Sequence, residues 1–300
     1  MKYLDDIDSS TSEFGDLYDE LPLWSAAFGL LLLEHVPMKP GLTVLDIGAG
    51  TGFLTIELAE RCGPTTSVIA VDPWKAAMDR LRRKVNQRGL KNVRLIERDA
   101  AVLDLPDKSV DVIVSNLGVN NFDNPTAVLT ECCRVAKIGA TLVLTTNLLG
   151  HMSEFYDVYR AALIELGRPE HVDALEIHIN RRATVDSVHD MLANTGFTPT
   201  QVATQSFRMR FADGSSFLRH SFIRLGFLPG WKSVAPPDSL QRTFEALEQR
   251  LNEYAQAHGE LALTVPMACV VARKPARGES HGAIFQIQDL VTRIAVARKR

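Results

Sequence analysis

An α/β fold with a mostly parallel sheet is what this 300-residue sequence predicts, on three observations. A strand-like run enters a glycine-rich turn at residues 44–52. Strand-like and helix-like patterns alternate after it. The carboxyl ends of successive strands carry acidic or amide side chains. Alternating strands and helices argue for a parallel sheet covered on both faces, and such sheets bind ligands beyond the carboxyl ends of their strands.

Residues 1–39 read as a helical lead-in. Its first twenty residues hold seven acids and one lysine, a solvated start. Phe14 to Leu33 carry Tyr18, Trp24, Phe28 and many leucines. Strand-like runs follow at Thr43–Ile47, Ser67–Val71, Val93–Glu97, Val110–Asn116 and Ala140–Thr146. Between them, Leu54, Leu58 and Cys62 share one helical face, as do Met78, Leu81 and Val85, and then Val128, Cys132 and Val135. Residues 151–168 form a helical stretch, and Thr184–Asn194 a second one running into Thr195-Gly196-Phe197. Two more strands are expected at Thr200–Phe211 and Leu261–Arg273. Between them Asp213–His258 is too long for a hairpin. It reads as mostly helical, broken by Pro229-Gly230 and Pro236-Pro237.

The turn reads Val-Leu-Asp-Ile-Gly-Ala-Gly-Thr-Gly. Gly48, Gly50 and Gly52 with Ala49 let the backbone approach a ligand closely, and a helix N-terminus follows from Phe53. The dinucleotide pattern Gly-x-Gly-x-x-Gly is not met, because the third glycine comes one residue early. No Lys-Ser/Thr follows, so a phosphate-cradling loop is not expected. Asp46 would repel a pyrophosphate and welcome an ammonium group. Asp72, twenty residues after Gly52 and followed by Pro73-Trp74, ends the second strand and can accept from a ribose diol. Asp99-Ala100 ends the third strand, and Asn116-Leu117 the fourth.

This set of motifs resembles the class I S-adenosylmethionine (SAM) dependent methyltransferases, nearest to the bacterial small-molecule group that includes the ubiquinone/menaquinone enzymes. The likeness spans about residues 40–147, more weakly to 273. It implies a Rossmann-like, seven-stranded, mostly parallel sheet with the last strand antiparallel, flanked by helices. It also implies SAM as cofactor and S-adenosylhomocysteine (SAH) as product. Asp46, Gly48, Ala49, Gly50 and Gly52 would wrap the amino-acid end and ribose, and Asp72, Pro73 and Trp74 would take the ribose. Asp99 and the Ala100 N–H would take the adenine, and Asn116 and Leu117 would lie along the methionyl moiety. Arg134 to Ala140 resembles the family's turn into strand five, with Ile138 for its proline and Ala140 for its second glycine.

The expected organisation is therefore a lead-in and lid at 1–39, with Tyr18 or Trp24 closing over SAM, and a SAM-binding core at 40–211. A helical cap follows at 212–258, rich in Phe217, Phe222, Phe227, Leu228 and Trp231, then the final strand at 259–274. Residues 275–300 read as an amphipathic tail, since Ile284, Ile287, Leu290, Val291 and Ile294 follow helical spacing. Docking of that tail on this chain or on a second copy makes a homodimer one expectation. An apolar cap favours a small or lipid-like acceptor, methylated at carbon or oxygen by in-line displacement. Catalytic candidates are His151 and His220, with His178 as a further histidine and Asn120, Asn121 and Arg219 as orienting groups.

Net charge is −3, which leaves no electrostatic footprint for nucleic acid. The longest apolar run, Ala26–Leu33, is too short to span a bilayer, and no leader pattern precedes it. Cys62, Cys132, Cys133 and Cys269 lack Cys-x-x-Cys spacing, so reduced thiols in a cytoplasmic protein are expected. No ligand cluster for a metal is evident. The competing functions are a nucleotide-cofactor (NAD-type) oxidoreductase, against which the glycine spacing and Asp99-Ala100 speak, and a non-catalytic SAM-binding regulatory subunit.

Overall fold

A computed structural model describes residues 1–20, 23–276 and 286–289. In chain order the larger elements are α1 (Ser12–Asp19), α2 (Leu23–Leu33), β1 (Thr43–Ile47), α3 (Phe53–Arg61), β2 (Ser67–Asp72) and α4 (Lys75–Arg88). Then come β3 (Val93–Glu97), β4 (Val110–Asn116), α5 (Pro125–Val135), β5 (Ala136–Asn147), α6 (Ser153–Glu165), α7 (Glu170–Ile179) and α8 (Val185–Asn194). The chain continues through β6 (Thr198–Phe211), α9 (Gly214–Arg219), α10 (Ser221–Gly226), α11 (Leu228–Lys232), α12 (Leu240–His258), β7 (Leu261–Arg273) and β8 (Gln286–Asp289).

The sheet order is β3-β2-β1-β4-β5-β7-β6-β8. β1 pairs in parallel with both β2 and β4, with Val44 opposite Val68 on one side and Val112 on the other. β7 runs antiparallel to β5, with Leu144 opposite Val270. The expected strands and the antiparallel last strand are all present. The central strands are apolar along their length and buried on both faces, as in Val68 to Val71 and Ile113 to Val114.

β8 departs from the sequence reading. Gln286–Asp289 is a strand paired in parallel with β6, Gln201 opposite Gln286, where the apolar spacing gave a helix. The open edge of β6 offers a row of unpaired backbone groups, and pairing satisfies them where a helix could not. The rest of the tail expectation lies outside the described residues.

The chain divides into two compact units. The larger comprises Ser9–Asn147, Thr184–Gln205 and the chain from Met267. It holds β1 to β5 with α1 to α5 and α8. Within it α1 packs on α4 so closely that a Cβ on Gly15 would lie 2.9 Å from the Ala76 carbonyl oxygen. The smaller comprises Met1–Asp8, Leu148–Ala183 and Ser206–Pro266. In it α12 packs against α6 and α9 around fully buried Phe155, Tyr159, Phe217, Trp231 and Phe244. Its first residues are pinned by the Tyr3 hydroxyl, which donates to Glu248 Oε2 at 3.1 Å, and by Lys232 Nζ, which donates to the Leu4 carbonyl at 2.7 Å. The 213–258 insertion is helical as expected, while α7 is a separate helix that the sequence pattern did not set apart.

Candidate functional site

The glycine turn leaves β1 with Gly48, Gly50 and Gly52 all in the left-handed region, at φ of 69°, 54° and 85°. Two of them also lack room for a side chain. A Cβ on Gly48 would sit 2.8 Å from the Gly118 Cα, and one on Gly52 would sit 2.0 Å from Leu81 Cδ1. The turn therefore presses the end of β4 on one side and α4 on the other, and α3 starts directly from Gly52.

Asp72, at the end of β2, organises that turn. It is buried, and its Oδ2 accepts from the Gly50 N–H at 2.8 Å while Oδ1 accepts from the Trp74 N–H at 2.8 Å. Burial raises its pKa, and the two N–H donors oppose that rise. Each carboxylate oxygen accepts more than one hydrogen bond, so capacity for a ligand diol remains. Asp46 is more deeply buried, and the Thr55 hydroxyl donates to its Oδ2 at 2.5 Å. Burial pushes its pKa up to about 7, with the charge of Asp72 adding to the rise.

Asp99 is exposed at the end of β3 and accepts from the Ala101 N–H at 2.8 Å, with Ala100 buried beside it. Asn116 spends its side chain on the scaffold. Its Nδ2 donates to the Ser25 carbonyl at 3.0 Å, and its Oδ1 accepts from the Thr145 hydroxyl at 2.8 Å. Leu117 is a non-glycine residue at φ 66°, held there by its N–H bonds to the Thr145 carbonyl and hydroxyl, both 3.2 Å. Strain of that kind persists only where surroundings over-determine it.

The lead-in reaches the same strand ends. Trp74 packs edge-on against Phe14 at 5.6 Å and Tyr18 at 5.4 Å, and its indole N–H donates to the Ser9 carbonyl at 3.0 Å. Tyr18 lies close enough to Asp72 that the carboxylate, after burial, raises the phenol pKa. Trp24, the other expected lid residue, packs on Phe28 instead, at 5.1 Å. The sequence reading missed Lys84, whose Nζ donates to the Thr51 carbonyl at 2.9 Å and to Asp19 Oδ1 at 2.7 Å. It also missed Thr55 and Thr145. No local pattern marks any of these three.

The candidate histidines His151, His178 and His220 lie in the smaller unit. His151 is buried and stacks on Phe227 at 5.4 Å, and its electrostatic neighbours are Arg182 and His178. His220 is exposed and meets Phe211 edge-on at 5.4 Å. Arg219 lies over the Tyr3 ring at 5.0 Å. In the larger unit Asn120 Nδ2 donates to Asn147 Oδ1 at 2.9 Å. Within the larger unit the Gly50 and Trp74 N–H groups meet Asp72, and Asp46 feels the Asp72 charge, whereas the two catalytic candidates have different surroundings. No group of three metal-ligating side chains occurs among the described residues.

Residues 38–195 match the model of a methyltransferase domain family. The demethylmenaquinone methyltransferase of Anoxybacillus flavithermus is 29% identical over 184 residues, covering 58% of this chain and 78% of the relative. The malonyl-[acyl-carrier protein] O-methyltransferase of Methylococcus capsulatus is 31% identical over 176 residues, 59% of this chain and 58% of the relative. The solved structure of the YcgJ protein from Bacillus subtilis shares the fold, with a TM-score of 0.56 over 84% of this chain and 99% of that chain at 14% identity. These relatives do not favour the oxidoreductase reading.

Proposed function

We propose a set of residue roles for a chain that belongs to the methyltransferase domain family. The protein is a SAM-dependent methyltransferase acting on small-molecule acceptors. In our reading Asp72 takes the ribose diol, and Asp46 faces the ammonium end across the Gly48-Ala49-Gly50 cradle. Asp99 and the Ala100 N–H take the adenine, Pro73 and Trp74 border the ribose, and Leu117 follows the methionyl chain with Asn116 fixing its loop. Tyr18 and Trp74 cover the donor. The carrying observation is Asp72, a buried carboxylate already bonded to the Gly50 and Trp74 N–H groups, at the strand end where ligands of such sheets bind.

Bound SAM supplies a methyl group on a sulfonium, already activated for in-line displacement. The chain then has to align and desolvate the partners, which supplies much of the acceleration. A base is required only where the acceptor must lose a proton. Of the two candidates His220 suits that task better, because burial and the charge of Arg182 take His151 down to about 3. The acceptor we infer is small or lipid-like and attacks through carbon or oxygen, with residues 212–258 capping it. The names of two relatives, for demethylmenaquinone and for malonyl-[acyl-carrier protein], support that class.

A cytoplasmic location and pairing of two copies through residues 275–300 complete the reading. No helix among the described residues is long and apolar enough to cross a membrane. Light scattering on the full chain and on one ending at Pro275 tests the pairing, with a monomer in both refuting it. Calorimetric titration with SAM, SAH and NADH tests the main reading. SAM and SAH should bind and NADH should not, and binding of NADH alone would sink the assignment. SAM binding without turnover on quinol or carrier-bound acyl acceptors would favour the regulatory alternative.

A further inference from the structure

In the larger unit, β5 ends in three buried polar residues. Thr145 and Thr146 are fully enclosed, and Asn147 is 4% exposed, after the apolar run Leu142, Val143 and Leu144. All three side chains hold the loop that follows β4, the neighbouring strand of the sheet. The Thr145 hydroxyl donates to Asn116 Oδ1 at 2.8 Å and accepts the Leu117 N–H at 3.2 Å. The Thr146 hydroxyl donates to Asn120 Oδ1, and Asn120 Nδ2 donates to Asn147 Oδ1 at 2.9 Å. Asn120 belongs to a short helical turn, Gly118–Asn121, and its N–H donates to the Leu117 carbonyl at 3.2 Å.

Both threonine O–H groups are spent inside this network, but the amide N–H groups are not. Asn120 and Asn147 each carry two, and of these four only one, from Asn120, is used between them. Asn147 Nδ2 donates to no group among the described residues, yet it is not sealed from solvent. With both amides turned over, two of the four would be used, so at least two stay open in either setting. Buried polar groups are ordinarily paired within the protein. Open donors on so buried a side chain therefore point to an oxygen brought by a ligand. Asn120 and Asn121 are exposed, so that oxygen can arrive from solvent.

Position says which ligand. β4 lies between β1, which delivers the glycine turn, and β5, which ends in Asn147. Neighbouring strands are about 4.8 Å apart, so the amide pair lies one strand beyond the donor turn and β4. It adjoins Leu117, which in our reading follows the methionyl chain. An acceptor in line with the methyl group needs to be held on that side.

We propose, on the donor reading above, that Asn147 and Asn120 bind a carbonyl or anionic oxygen of the methyl acceptor. Neutral amide donors serve a carbonyl and a carboxylate alike, whereas an ammonium group would face donors. The pair thereby selects acceptors by their oxygen.

Calorimetric titration of the SAH-saturated full chain with benzoate, acetophenone and benzylammonium tests it. Benzoate and acetophenone should bind saturably at one site, and benzylammonium roughly tenfold more weakly. Asn147→Asp keeps an acceptor for Asn120 and replaces the open donors with oxygen. It should lose roughly tenfold in benzoate affinity with SAH affinity kept, and Asn120→Ala should lose severalfold. Absence of saturable binding of both oxygen-bearing probes, equal binding of benzylammonium, or full benzoate affinity in Asn147→Asp would overturn the assignment. Should Asn147→Asp fail to fold, proton–nitrogen NMR of the wild type decides. The side-chain amide resonances of Asn120 and Asn147 should shift as benzoate saturates, and unmoved resonances overturn the assignment. A wild type that binds no SAH would sink the donor reading and this assignment with it, a result distinct from SAH binding without probe binding.

Discussion

The ammonium of Lys84 donates to the backbone carbonyl of Thr51 at 2.9 Å, in the middle of the glycine turn. The same nitrogen holds Asp19 on α1, which Arg80 also grips at 2.9 Å. One side chain on α4 therefore fixes both the loop that we assign to the donor and the helix that carries Tyr18. Lys84→Met keeps the apolar stem and removes the donor, while Arg80 still holds Asp19. Loss of a hydrogen bond to a charged donor in a half-buried place costs about 1 kcal/mol, or roughly fivefold in affinity. SAH titration should show that loss, with KM for SAM raised and kcat nearly kept. An unchanged SAH affinity would remove Lys84 from any part in positioning the turn.

The Asp46 carboxyl gives a pH signature. Its folded pKa of about 7 lies above the unfolded value of about 3.9, so the native state binds the proton more tightly. The resulting stability is full below about pH 4, declines as pH rises toward 7 and is absent above that. Three units correspond to roughly 4 kcal/mol at most. Asp46→Asn retains an acceptor for Thr55 and abolishes the titration. Urea unfolding at pH 4.5 to 8 should show the wild type losing ground to the variant across the window. A constant difference between the two proteins would show that Asp46 titrates normally.

A ligand ammonium placed beside Asp46 would reverse that preference and ionise the carboxyl. SAH binding at pH 6 should then release a proton, giving an observed enthalpy that depends on the ionisation enthalpy of the buffer. Methylthioadenosine, which lacks the amino-acid end, should release none, and neither should SAH bound to Asp46→Asn. Equal proton release with both ligands would place the ammonium elsewhere.

What was legible in the sequence was whatever repeats locally. The β1 strand, the glycine turn and the acids at 46, 72 and 99 are each marked by a pattern only a few residues long, and each acid stands at or near its strand's end as read. The partners of those acids were not legible. Thr55 under Asp46 and Lys84 on Thr51 follow from how α3 and α4 pack on the sheet, which no short window encodes. His151 lies just beyond β5 as read, but its surroundings come from Phe227, 76 residues downstream. At 286–289 the spacing of Ile284 and Ile287 suited a helix, and the open edge of β6 took the backbone instead.

Glycines of similar φ separate strain from crowding. Gly52 sits at φ 85° with Leu81 Cδ1 2.0 Å from where a Cβ would be, whereas Gly63 sits at φ 77° with nothing within 4 Å. Alanine at Gly63 meets only the left-handed penalty of about 1–2 kcal/mol. Alanine at Gly52 adds displacement of the fully buried Leu81, an overpacking cost of about 1–3 kcal/mol. Leu81 is one of the residues that pack α4 onto the β2 side of the sheet, together with Met78, Ala70 and Val85. Its displacement therefore reaches the helix that carries Lys84. Chemical denaturation should rank Gly52→Ala well below Gly63→Ala in stability, and only Gly52→Ala should weaken SAH binding. Similar losses from both variants would mean that Leu81 yields freely and that conformation alone demands glycine at 52.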